Sequence, residues 1–232
     1  VRPSKDLDKV AREWSRGGRL REALARTGYR AVNSASMHIE GASDDDKIIQ
    51  TLANKYCETI TDPQFTELGV FRQGREIAIV VATPFSAPGI REATAIGNRV
   101  LALVNDARSK QQRCGSNSFP AVTPLALSAT LTQAALKHAQ DMASHNRFEH
   151  TGSDGSTPSQ RISQAGYKWR AVAENIAAGP TTPEEVVNGW LKSPGHCVNI
   201  MSPAYTQMGI AYAVDEKSEA GIYWSQEFAT PG

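Results

Sequence analysis

AENIAAGPTTPEEVVNGWLKSPGHCVNIM, residues 173–201, decides how this chain is read. It begins beside a glutamate, Glu174, and holds a histidine, His196, near its end. Between them lies the strongest helix signal in the sequence. Thr182 is a good N-cap, Pro183 suits the first helical position, and Glu185 three residues past the cap completes a capping box. Val186, Val187, Trp190 and Leu191 then form one apolar stripe. Ser193-Pro194-Gly195 ends the helix, since proline and glycine both interrupt it. The helix is expected to act as a strut, leaving Glu174 and His196 free to meet at one cleft.

The bulk numbers bound the rest. A chain of 232 residues with 40% hydrophobic content has enough apolar material for one large domain or two small ones. A net charge of +1 with no dense basic patch excludes an electrostatic footprint for nucleic acid. No apolar run approaches the roughly 18 residues of a membrane helix. The chain begins at Val1 rather than Met, which a removed secretory signal or a trimmed start would explain. Its three cysteines, Cys57, Cys114 and Cys197, are too widely spaced for a zinc knuckle or a redox pair. Three reduced, core-packed thiols remain an alternative to a disulfide at this point.

Residues 1–26 contain two amphipathic helix candidates separated by Gly17-Gly18. Residues 30–42 read as extended or irregular. Ser43 followed by Asp44, Asp45 and Asp46 reads as a helix start, with Ser43 as the cap. Glu67–Arg72 and Glu76–Thr83 read as a hairpin around Gln73-Gly74, with Ile77–Val81 as a buried strand. Pro84–Gly89 reads as a linker, dividing residues 1–90 from 91–232. Helices are expected over about 92–112, 128–147 and 159–165, and a second hairpin over 207–214 and 221–229. Phe148-Glu149-His150 leaves the second of these helices.

The two parts are expected to be related. YCETITDPQFTELGV (56–70) matches HCVNIMSPAYTQMGI (196–210) at a constant offset, aligning Cys57 with Cys197 and Gly69 with Gly209. Upstream, Gly28-Tyr29 matches Gly166-Tyr167. Glu174 falls on Ser36, His196 falls on Tyr56, and no counterpart of Phe148-Glu149-His150 is visible. The expectation is a degenerate half-domain over 1–90 that supports structure, and a site-bearing domain over 91–232.

His150, Glu174 and His196 are the candidate site residues. Two imidazoles and a carboxylate could hold a divalent metal with an open position, or could act as acid and base. These residues also carry a resemblance. The segments Asn105-Asp106-Ala107-Arg108, LTQAALKHAQDMASHNRFEHT (131–151), RISQAGY (161–167), AENIAAG (173–179), SPGH (193–196), YTQMGIAYA (205–213) and YWSQEFA (223–229) resemble the CAP superfamily. That superfamily comprises the cysteine-rich secretory proteins, antigen 5 and plant pathogenesis-related proteins, and the match is to its bacterial SCP-like branch. The resemblance covers roughly 93–229. It implies an α+β fold, an α-β-α sandwich around a central antiparallel sheet, and a secreted or periplasmic location. It implies a cleft of two histidines and two glutamates, often with a divalent metal such as zinc. The histidines would be His150 and His196, and one glutamate Glu174. The position of the second glutamate, three residues after Trp190, is Ser193, so a metal held by His150, Glu174 and His196 is expected to be weak.

The resemblance also implies a disulfide between Cys114 and Cys197. Such a bridge would close a loop of about 80 residues and contribute about 4 kcal/mol on the chain-entropy model. Cys57 would then be left over, its ancestral partner lying upstream of Val1 or its pairing being intermolecular. Three functions follow. One is a secreted module whose cleft binds a lipid-like or cell-envelope ligand. The second is a structural or interaction protein of the envelope. The third is a metal-dependent hydrolase, for which no nucleophile motif is present: there is no Gly-x-Ser-x-Gly, and Cys197 next to His196 in an extended segment would point to the opposite face.

Overall fold

A computed structural model describes residues 1–41, 44–89 and 92–232. The chain forms two compact units, Val1–Ser86 and Ala87–Gly232.

The first unit runs β1 (Arg2–Pro3), α1 (Lys5–Trp14), α2 (Leu20–Thr27), β2 (Ala31–Ile39), α3 (Asp45–Lys55), α4 (Cys57–Thr61), β3 (Glu67–Gln73) and β4 (Glu76–Pro84). The sheet order is β1-β3-β4-β2, parallel at β1/β3 and antiparallel elsewhere. The apolar run on β4 is buried on both faces, as a central strand requires. Ala78, Val80 and Ala82 pack with Leu7, Val10 and Ala23 of α1 and α2. Ile77, Ile79 and Val81 pack on the other face with Met37 and Phe65, and with Ile48 and Leu52 of α3. The stretch expected to be extended or irregular is therefore largely a nine-residue strand, β2. Ser43 lies outside the described residues; Asp44 caps α3, its side chain accepting from the Lys47 N–H at 2.9 Å.

The second unit runs α5 (Ala93–Arg108), β5 (Gln112–Cys114), β6 (Asn117–Phe119), β7 (Ala126–Leu127), α6 (Ala129–Ser144), α7 (Pro158–Gln164), β8 (Trp169–Ala178), α8 (Pro183–Lys192), α9 (Pro194–Met201), β9 (Gln207–Val214) and β10 (Ile222–Pro231). Its main sheet has the order β7-β9-β10-β8, again parallel only at its two-residue edge. One face carries α6 and α7, where Leu131, Ala134, Ile162 and Ala229 cluster. The other carries α8, with Trp190 donating its indole N–H to the Ile176 carbonyl at 3.0 Å. This is the α+β, helix–sheet–helix arrangement. Ser193-Pro194-Gly195 does end α8, but Pro194 also opens α9, where its missing N–H is no loss. His196 and Cys197 therefore lie on a helix and not on an extended segment, and the opposite-face reading of those two residues is corrected.

Glycine is required at one close approach in each unit. A Cβ on Gly209 would lie 2.1 Å from the Leu131 backbone carbon, and one on Gly69 would lie 2.1 Å from that of Leu7. In both, a helix presses against the strand that the glycine occupies. Each helix is capped by a serine, Ser128 or Ser4, whose N–H bonds the neighbouring strand at Met208 or Leu68. Tyr29 donates to Glu67 and Tyr167 to Gln207, both at 2.8 Å.

Candidate functional site: a charged cluster beneath two histidines

The site is built on β8, an edge strand of the second sheet. Side chains alternate along a strand, so Glu174 and Asn175 point to opposite faces. Glu174 faces α6 and α7. Its carboxylate is 1% exposed and accepts from Arg161 Nη2 at 2.5 Å on one oxygen. On the other it meets His150 Nδ1 at 2.7 Å. His138 of α6 brings its Nε2 to within 3.6 Å of the same carboxylate. Glu227 sits directly across the ladder from Glu174, between β10 and β8, and is fully buried.

Asn175 serves the other face. Its amide donates to the His196 carbonyl at 3.2 Å and to Gln226 Oε1 at 3.1 Å. Asn199 in turn donates to Asn175 Oδ1 at 2.9 Å. Cys197 closes the disulfide with Cys114, tying the start of α9 to β5. The loop bearing His150 is held by Arg161, which donates to the carbonyls of Ser156 at 2.8 Å and His150 at 2.9 Å. Consecutive residues of one strand thus position both histidines.

The electrostatics separate the titratable groups. Two carboxyls this deep cannot both ionise. Burial pushes Glu227 well above the usual carboxylate range, and the charge and hydrogen bond of Glu174 push it further. Burial also raises Glu174, but the His150 hydrogen bond, the His138 charge, the Glu227 hydrogen bond and the Arg161 charge together bring it below the ordinary value. The pair therefore holds one proton, on Glu227, which donates to Glu174. Burial lowers the His138 pKa, against the Glu174 charge that raises it, so its ring gives up a proton more readily than a free imidazole. The buried charges then balance: Arg161 against Glu174. His150 is left over. Its side chain is 54% exposed, and the hydrogen bond to Glu174 raises its pKa. Burial and the neighbouring His150 charge lower that of His196. The histidines form an unlike pair, one tending to the cation and the other to the neutral ring.

Of the three expected site residues, the structure joins His150 to Glu174 directly and brings His196 within electrostatic reach of His150. A three-ligand metal centre that includes Glu174 does not fit this arrangement. Both Glu174 oxygens are engaged, and one lies against a guanidinium that a divalent cation would have to oppose. Among the described residues, no three His, Cys, Asp or Glu side chains converge as a metal-holding group. The two imidazoles remain, with Glu174 standing behind His150 as a carboxylate stands behind a ligating histidine.

Sequence reasoning missed His138, Arg161 and Glu227. Each interrupts an apolar pattern: His138 sits in the stripe of α6, Arg161 beside Ile162, and Glu227 next to Phe228 in the last strand. A titratable residue in a buried stripe signals a partner elsewhere. Ser193, where a second glutamate was expected, joins α8 to α9, and the second carboxyl comes instead from β10.

A model of the cysteine-rich secretory protein family, CAP, matches residues 101–228. Protein YkwD of Bacillus subtilis (strain 168), described as uncharacterised, is 34% identical over 146 residues, which is 63% of this chain and 51% of that protein. Membrane protein YlbC of the same organism, also described as uncharacterised, is 29% identical over 96 residues, 41% of this chain and 26% of that protein. The chain thus spans about half the length of the first relative and about a quarter of the second. A crystal structure of an extracellular protein containing an SCP domain, from Bacillus anthracis str. Ames, shares the fold. It has a TM-score of 0.50 at 16% identity, covering 90% of this chain and 70% of that one. With more than half of its length matched by the family and the sheet and helix order just described, this chain belongs to the CAP family of cysteine-rich secretory proteins.

Proposed function

We propose that this is an extracellular binding module whose cleft, walled by His150 and His196, takes the anionic head of a lipid-like or cell-envelope ligand. The carrying observation is the charge balance. Beneath the cleft one buried carboxylate, Glu174, serves two positive groups, the Arg161 guanidinium and the half-exposed His150 whose pKa it raises, so a protonated His150 leaves the cluster with a net positive charge at the cleft. A neutral His196 beside it supplies a ring nitrogen as donor or acceptor. A weakly held divalent ion would use the same two imidazoles and would compete with such a ligand. The Cys114–Cys197 disulfide supports an oxidising compartment. Among the described residues, no helix is long and apolar enough to cross a membrane.

The first unit fits this reading as a copy of the fold without the site. Where the second unit pairs Glu174 with Glu227, the first pairs Ser36 with Val80. Aligning the helix caps and turns puts Trp14 at the place of His138 and Ala23 at that of Arg161. The charged cluster is replaced by an apolar core around Leu7, Val10 and Val80. That exchange is favourable wherever the charges serve no purpose.

The test is to incubate the purified chain separately with a total lipid extract, with soluble cell-wall fragments and with zinc, and to identify what is retained by mass spectrometry and calorimetry. Retention of an anionic lipid or wall fragment that falls on His150→Ala and on His196→Ala supports the reading. Equal retention by the parent and the double variant removes the two histidines from the site. Retention of zinc alone makes the cleft a metal site and not an anion site.

A further inference from the structure

The first unit has an uncovered face whose counterpart in the second unit is covered by α5. The register fixes the correspondence. Arg2 and Pro3 pair with Glu67 and Leu68 as Ala126 and Leu127 pair with Gln207 and Met208. Gly69 pairs with Val80 as Gly209 pairs with Glu227. The N-caps Asp44 and Thr182 align α3 with α8. On this alignment Val1 matches Leu125, Ile49 matches Val187, and Val70 matches Ile210. The first set is 62%, 64% and 43% exposed, and the second 4%, 3% and 4%. Among the described residues these three are the large exposed hydrophobic residues of the first unit.

In the second unit α5 lies against α8, α9, β7 and β9, the elements that carry or adjoin the second set, and its Gly97 approaches Ile210. Asn105 closes two hydrogen bonds with the Leu125 backbone, at 2.8 and 2.9 Å. Arg108, fully buried, donates to the carbonyls of Ile200 at 2.6 Å, Ser202 at 3.0 Å and Tyr205 at 3.4 Å. Six residues further on, Cys114 bonds Cys197. In the first unit the matching carbonyls belong to Ile60, Asp62 and Phe65. All three residues line a groove of about 930 Å3 with Arg2, Thr61 and Pro63. Cys57, matching Cys197, is a free exposed thiol on the same short helix, α4, as Ile60 and Thr61. The apolar positions, the row of acceptors and the thiol of the α5 seat are all present, and among the described residues no helix lies on them.

We infer that this face is the docking site for a polypeptide helix of α5's chemistry. The occupant has an apolar stripe, an arginine in its last turn set against the carbonyls of Ile60, Asp62 and Phe65, and a cysteine six residues beyond for Cys57. Its recognition is separate from the cleft of the second unit and independent of what that cleft binds. An exposed apolar patch of this kind is costly unless covered, and the buried arginine gives the contact its specificity.

The probe is a synthetic peptide with the sequence of residues 93–116, its cysteine carried as the mixed disulfide with glutathione, added to the full 232-residue chain. The Cys57 thiolate attacks the peptide sulfur and the new disulfide forms. The glutathione thiolate leaves and takes up a proton, with no net oxidation. A serine version of the peptide, labelled for anisotropy, reads the non-covalent affinity. The inference predicts one adduct per chain at Cys57. It also predicts at least about a tenfold weaker affinity for Ile49→Asp, for Val70→Asp, and for the peptide carrying Arg108→Gln with its other two arginines kept. Both chain substitutions fall on exposed positions, so the fold is kept, and circular dichroism checks it. Three results would overturn the inference. One is no binding at about 1 mM peptide. Another is an adduct that forms equally fast with a scrambled peptide. The third is a Cys57-linked dimer of the chain that the peptide does not displace.

Discussion

Replacing Glu227 by glutamine should make the second unit more stable at neutral pH, although it removes a buried hydrogen-bonded group. Glu227 keeps its proton in the folded chain because burial and the Glu174 charge oppose ionisation. In the unfolded chain it ionises near 4.5. The folded pKa is raised, so below 4.5 both states are protonated and the group contributes nothing. Above 4.5 the unfolded state releases a proton that the folded state retains. Stability then falls by up to about 1.4 kcal/mol for each pH unit, until the folded pKa is reached. Glutamine carries no ionisation in either state and offers Glu174 an amide N–H where the acid offered its O–H. The stability difference, Glu227→Gln minus parent, should therefore rise with pH above about 4.5, at a slope approaching 1.4 kcal/mol per unit. Burial lowers His138 and His196, so each adds stability as pH rises toward its unfolded value, but both slopes cancel in the difference. The assay is urea unfolding at a series of pH values, followed by the fluorescence of buried Trp190 and Trp224. A difference that is flat across that window, with the variant weaker throughout, would refute a shared proton on Glu227.

Three further outcomes follow from the same geometry. Arg161→Met removes the buried guanidinium from Glu174, leaving it only the half-exposed His150, and should cost about 3–5 kcal/mol in urea unfolding; adding Glu174→Gln should return part of it, whereas strictly additive losses would contradict the pairing. Cys114→Ser with Cys197→Ser should lower stability by about 2–5 kcal/mol, and a reductant should then have no further effect on the second unit's unfolding midpoint. Gly209→Ala puts a methyl against the Leu131 backbone, where no side chain can yield, and should cost about 3 kcal/mol or more in thermal unfolding, while Gly195→Ala, with open space around it, should be tolerated.

The parts of this protein that could be read from its residues are those governed by local rules. The Thr182/Glu185 capping box forms as expected, with the Thr182 hydroxyl accepting from the Glu185 N–H at 3.2 Å. The β4 run is a central strand because its apolar residues face cores on both sides. Strand β8 was not visible, because an edge strand with four alanines and only two β-branched residues, Val172 and Ile176, gives a weak signal. Helix α9 was hidden by Pro194-Gly195, which reads as a stop but serves as a start. Glu174 and His150 stood out as polar ends of motifs. Arg161, His138 and Glu227 did not, since what gives them meaning is a register between β8 and β10 and the seat of α6 and α7 above it. Such long-range contacts leave only an indirect trace in sequence, a charge where the pattern calls for an apolar residue.

The most direct test of the unlike histidine pair is an NMR titration of the imidazole resonances of the full chain. His150 should titrate above 6.5 and His196 below it, and Glu174→Gln should bring His150 down toward the ordinary value. Because the folded His150 value is raised, its part in stability and in anion binding is full below 6.5 and is lost as pH rises through the folded value. Two histidines titrating together near 6.5, indifferent to Glu174→Gln, would show that the buried cluster does not set the charge of the cleft.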